Sequence, residues 1–103
     1  PSAIFASNDM LGLAALQMAQ IEGLQVPRDL SVVGMDDLFS AESASPALTS
    51  VSKHRFEVGA QAARNLLNQI NSKHSMEKEL INELVECTLV VRDSSGPIAG
   101  VDV

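Results

Sequence analysis

Apolar residues fall along this chain in runs of two different periods. Ala3, Ile4, Phe5 and Ala6 form a short continuous run that reads as a buried strand. Ser7, Asn8 and Asp9 follow, all types that cap a helix N-terminus, and Asp9 reads as the cap. The string MLGLAALQMAQIE then predicts a helix of about three to four turns. Leu11, Ala14, Ala15, Met18 and Ile21 fit one face of it, the face expected to cover a sheet. Gly23 stands where a left-handed C-terminal cap belongs, and Pro27 stops the helix from resuming. LSVVGM is a second continuous apolar strand. Strand, helix and strand with short links make a βαβ unit, which implies a parallel pair with a right-handed crossover.

The next stretch, LFSAESASPALTSV, is rich in Ser and Ala and is interrupted by Pro46. It predicts a loop or one helical turn, then an extended ALTSV. Phe56, Gly59, Ala60, Ala63, Leu66, Leu67 and Ile70 follow at helical spacing, the clearest amphipathic helix in the chain. NSKHS ends it. Residues 76–91 conflict internally: MEKELINELVE favours helix and CTLVV favours strand. A strand is expected from about Cys87, with the earlier half open. Arg92 to Val103 reads as a surface tail.

Charge narrows the function classes. The 103 residues suffice for one domain or part of one. Opening inside an apparent core strand suggests a piece of something longer. A net charge of −6 repels phosphate, so direct contact with DNA or RNA is disfavoured. Phe5, Phe39 and Phe56 are the only aromatics, too few for a base-stacking platform. Cys87 is the only cysteine, which rules out an intrachain disulfide and points to a reducing compartment. No apolar run approaches a membrane span, and no signal peptide is visible.

The candidate chemistry sits at strand tips. VVGMDD drives a hydrophobic strand straight into two carboxylates, Asp36 and Asp37. In parallel α/β sheets, ligands bind beyond the carboxyl ends of strands. Asn8 ends the first strand as Asp36 ends the second. A carboxylate accepts from hydroxyls, and a carboxamide donates and accepts, so the pair suits a polyol such as a sugar. Asp37 reads as a turn cap, while Asn8 and Asp36 stand open between site and turn chemistry. The Asp pair lacks further oxygen ligands for a cation. His54 and His74 lack metal-ligand spacing, so no metal site is expected. With no nucleophile elbow and no phosphate loop, neither an enzyme nor a cofactor is expected. Met10, Leu13 and Gln17 share a second face of the first helix. With the small residues from Leu38 to Ala44, that face suggests a two-fold dimer patch.

In order, AIFASNDMLGLAALQMAQIEGLQVPRDLSVVGMDD, PALTSV, GAQAARNLL and LVVRDSS resemble the lactose-repressor (LacI) family of bacterial transcriptional regulators. The likeness runs from about residue 2 to residue 95, over the C-terminal part of the family's effector-binding core. It implies a periplasmic-binding-protein-like (type I) α/β fold, a parallel-sheet sandwich. The chain would hold most of one subdomain half plus crossover elements. Residues 1–49 would belong to the second subdomain, and about 50–90 would supply a crossover strand, a helix packed on the first subdomain, and the final strand. Residues 93–103 would be a tail. Asn8 and Asp36 match effector contacts. Lys53 and Arg55 stand near the pocket where the family often has Gln and an aromatic, which favours an anionic effector. Met10, Leu13, Gln17 and Ala44 fall in the family's dimer interface. The implied partners are a small-molecule effector (a sugar or related polar metabolite) and a second copy of the chain. DNA would be reached only through an N-terminal headpiece outside these residues, in the cytoplasm and without a membrane. Two alternatives are a sugar-binding protein of an ABC transport system and an interaction module with a dead pocket.

Overall fold

The computed structural model describes residues 1–72 and 82–100. Strand β1 spans Ala3–Phe5, helix α1 Asp9–Ile21, strand β2 Ser31–Met35 and helix α2 Phe39–Ser43. Strand β3 spans Thr49–Ser52, helix α3 Arg55–Asn71 and strand β4 Thr88–Val90. The four strands form one sheet in the order β1-β2-β3-β4. β1, β2 and β3 run parallel, and β4 pairs antiparallel with β3. The expected parallel pair is therefore present, and the αL cap at Gly23 is a full Schellman motif. Gly23 has φ +74°, its N–H donates to the Gln20 carbonyl, and the Leu24 N–H donates to the Ala19 carbonyl.

The core lies between α1 and the sheet. Leu16, Ala19, Leu30, Val32, Ala41 and Leu48 are buried together, with Leu13, Ala15 and Val26 packed against them. Each fully buried Leu contributes about 1.5–3 kcal/mol. The face of α1 that does this differs from the expected one. Asp9, Gly12, Leu16 and Ala19 are buried, while Leu11, Met18 and Ile21 are exposed. The reason is backbone proximity. A Cβ on Gly12 would lie 3.0 Å from Leu48 Cδ2 and 3.6 Å from Gly34 Cα. A Cβ on Gly34 would collide with Asp9 Oδ1 and lie 3.3 Å from Asp9 Cα. Two glycines thus let helix and strand approach, and the large side chains turn outward. Apolar residues surround α1, so the periodicity had no polar face to orient it.

Two further expectations are corrected, the first being the buried strand at β1, where Ala3, Ile4 and Phe5 are all exposed. The surface tail expected from Arg92 fails at Ser94, which is fully buried. Ser94 is inserted between the starts of β2 and β3: its N–H donates to the Ala47 carbonyl and its carbonyl accepts from the Val32 N–H. α3 forms where the periodicity places it, yet none of its residues is buried and Phe56 is 88% exposed. Cys87 lies just outside β4, and residues 82–87 form no regular element. The helix-or-extended question over 76–81, and His74, fall outside the described residues.

Candidate functional site

At the C-terminal end of β2 the chain turns through two unusual residues. Asp36 has φ +113° and Asp37 φ +56°, values that L-residues rarely adopt. Each such residue costs on the order of 1–3 kcal/mol unless its surroundings hold it. The surroundings here are specific. The Asp36 N–H donates to the Val51 carbonyl at 2.9 Å, and the Asp37 N–H donates to Ser50 Oγ at 3.0 Å. Asp37 Oδ1 accepts from Arg92 Nη2 at 2.5 Å, and Arg92 Nη1 donates to the Leu48 carbonyl at 2.8 Å. Asp37 is therefore tied down through its side chain as an ion-pair partner of Arg92. It does not cap α2, whose N-cap is Leu38 without a side-chain bond.

Asp36 is differently placed. Its carboxylate is partly exposed and meets Lys53 Nζ at 2.9 Å. An ion pair this exposed is worth about 0–1 kcal/mol, so Lys53 is easily displaced or shared. A groove of about 490 Å³ lies beside it, lined by Asp36, Asp37, Ser52, His54, Arg55, Phe56 and Glu57. Among the described residues Arg55 reaches only the Asp37 carbonyl, at 3.5 Å, so its guanidinium retains donors for another acceptor. His54 is half-buried at φ +49°, and its Nε2 lies 2.8 Å from Thr88 Oγ1.

Asn8 stands at the neighbouring strand tip. β1 pairs with β2 through Phe5 and Val33, so Asn8 and Asp36 share one end of the sheet. Asn8 does not line the groove. Asn8, and not Asp9, is the N-cap of α1: its Oδ1 accepts from the Leu11 N–H at 2.9 Å. Asp9 is instead fully buried, accepting from Ser50 Oγ at 2.6 Å and from the Leu38 N–H at 2.7 Å. Nothing in the sequence separated Asp9 from an ordinary cap, because the partners that define it lie 41 and 29 residues away.

The residues expected at a dimer patch are dispersed in burial. Met10 and Gln17 are exposed, Leu13 is half-buried against the core, and Ala44 is the half-buried C-cap of α2. Gln20 Nε2 donates to the Ser45 carbonyl at 2.9 Å, which joins α1 to the segment after α2. Among the described residues no group of three or more His, Cys, Asp or Glu could hold a metal ion. Among them, too, no helix is long and apolar enough to cross a membrane.

Residues 1–95 match the family of periplasmic binding protein-like domains. The HTH-type transcriptional regulator DegA of Bacillus subtilis (strain 168) is 40% identical over 98 residues, covering 95% of this chain and 28% of that protein. The transcriptional regulator CelR–cellobiose complex superposes with a TM-score of 0.83 at 38% identity, over 91% of this chain and 28% of that one. A LacI family transcriptional regulator from Enterococcus faecium with bound ribose gives a TM-score of 0.85 at 28% identity, over 94% and 35%. The chain thus spans about a quarter to a third of the length of such relatives. A mixed, mostly parallel sheet of this topology, acids held at its strand tips and a likeness that runs through both sequence and structure lead to one assignment: the chain belongs to the periplasmic-binding-protein-like domains of the LacI family of transcriptional regulators.

Proposed function

We propose that this chain is the effector-sensing and dimerisation part of a bacterial, cytoplasmic LacI-type regulator. It takes up a small polar molecule, a sugar in the first instance, and adjusts operator binding by a DNA-binding headpiece outside these residues. The observation that carries this reading is the Asp36 carboxylate. It is held at positive φ at a parallel strand tip, beside the groove and, among the described residues, paired only with the exposed Lys53. Such an acceptor suits a pair of ligand hydroxyls, and the Asn8 carboxamide at the next tip offers donors to the same end of the sheet. Lys53 and the under-used Arg55 add cationic donors, which favour a ligand carrying an acceptor or an acidic group next to its hydroxyls. The similarity to regulators bound to cellobiose and ribose supports a sugar. The reading contains no catalytic step, since the carboxylate serves as an acceptor.

The test is a melting-temperature panel on the intact protein, with cellobiose, ribose, other neutral sugars and their uronic acids. Binding at saturating ligand stabilises the folded state by about 2.7 kcal/mol at a hundredfold excess over Kd, a shift of several degrees. A protein that no sugar or sugar acid stabilises would contradict the reading.

Residues 1–49 are assigned to the second subdomain, with β3, α3 and β4 as crossover elements. The exposed apolar face of α3 then packs on the first subdomain. Dimerisation is assigned to α1 and the α2 segment, which lie together and expose Met10, Gln17 and Phe39. Met10 is the best probe, because it is 64% exposed whereas Leu13 also supports the core. Met10→Arg in the intact protein should weaken self-association at least about tenfold, since a buried unpaired charge is costly. Sedimentation equilibrium at micromolar concentration reads this directly; an unchanged dimer would move the interface elsewhere.

A further inference from the structure

Among the described residues Asp9 is the one charged side chain that the fold buries completely, and no cationic side chain among them bonds it. Its two oxygens are both used as acceptors. Oδ1 takes the Ser50 hydroxyl at 2.6 Å, and Oδ2 takes the Leu38 N–H at 2.7 Å. Because the Ser50 hydroxyl donates to Asp9, its lone pairs face outward, and one of them accepts the Asp37 N–H at 3.0 Å. The chain of bonds is therefore directional: Asp37 N–H to Ser50, Ser50 O–H to Asp9, Leu38 N–H to Asp9. It anchors the two peptide groups that flank Asp37 to the buried start of α1. The first of them is the Asp36–Asp37 peptide, and the φ of Asp36 is +113°.

We propose that Asp9, acting through Ser50, is a positioning residue for the candidate binding groove. It holds the left-handed Asp36–Asp37 turn and so fixes where the Asp36 carboxylate points. A carboxylate suits this site because two donors converge on it; an Asn could keep the Leu38 N–H only by turning its NH₂ to Ser50 and reversing that bond. Gly34 is part of the same device, because a Cβ there would strike Asp9 Oδ1. The link also offers a route between the first turn of α1 and the groove, so a shift of α1 would be felt at Asp36. The inference rests on Asp36 being a ligand contact, but its test needs no ligand.

The experiment is hydrogen exchange in the intact protein, read at Asp37 and Leu38. Ser50→Ala removes the acceptor of the Asp37 N–H and should speed its exchange about tenfold, leaving Leu38 protected by Asp9. Asp9→Asn exchanges the charged acceptor of the Leu38 N–H for a neutral one and should speed that amide severalfold. Ser31→Ala is the control: it removes a buried serine bonded to Gly96 at the opposite end of the same strand. It should leave Asp37 and Leu38 unchanged. Exchange at both amides unaltered in Ser50→Ala and Asp9→Asn would overturn the proposal, as would equal acceleration in Ser31→Ala, which would mean a general loosening. If Asp9→Asn does not fold, Ser50→Ala alone decides. Tip amides that loosen as expected, together with an Asp36→Ala variant that binds normally, would remove Asp36 from the ligand site and leave the positioning role standing.

Discussion

Ser94→Ala is expected to lower unfolding stability by about 2–5 kcal/mol, through two buried groups left without partners. The Ser94 hydroxyl donates to the Val32 carbonyl at 2.6 Å and accepts from the Thr49 N–H at 2.8 Å. Val32 and Thr49 are themselves buried, at 0% and 1% exposure, so water does not replace the lost bonds. The main-chain N–H and carbonyl of Ser94 bond Ala47 and Val32 and would persist. The segment therefore stays in place, and the cost falls on the two orphaned groups. The measurement is the urea midpoint of the intact protein at fixed denaturant slope. A change within about 0.5 kcal/mol, the range of ordinary surface substitutions, would mean that Ser94 is only a space filler. Ser95→Ala makes the useful contrast, because its hydroxyl meets only Thr49 Oγ1 and is half-buried.

Asp36→Ala should weaken binding of whichever panel sugar stabilises the intact protein by about tenfold or more. Each charge-assisted hydrogen bond lost to a dry ligand hydroxyl costs about 1.5–3 kcal/mol. Stability should change far less through the Lys53 pair, which is exposed and worth about 0–1 kcal/mol. Alanine at φ +113° adds backbone strain, so Asp36→Asn is the companion variant. Asparagine tolerates positive φ nearly as well as aspartate and keeps one acceptor. An affinity loss in both variants assigns the effect to the charge. Unchanged affinity by titration calorimetry in Asp36→Ala would remove that residue from the contact set.

Much of the element order was legible in the residues. Continuous apolar runs around Ile4 and Val33, with a capped apolar helix between them, specify parallel strands because the helix carries the chain back to the end of the sheet where the first strand began. The schedule of Phe56, Gly59, Ala63, Leu66 and Ile70 placed α3 to within one residue. Strand-tip polarity likewise pointed to Asn8 and Asp36, and the structure puts both at one end of the sheet. What was illegible shares one physical character: it depends on partners far away in sequence. Asp9 resembled a cap, and Arg92 and Ser94 resembled a tail. Their roles come from Ser50, Asp37, Thr49 and Val32.

Local chemistry by itself therefore determined which segments become strand or helix, since propensity, capping and period act within a few residues. It also set the kind of chemistry available at the tips. Only the tertiary structure decided which face of α1 is buried. Large apolar side chains lie all around that helix, and the choice went to the side where Gly12 meets Gly34 and lets the backbones approach. That approach buries Asp9 against β3, and the buried carboxylate in turn shapes the turn that carries Asp36.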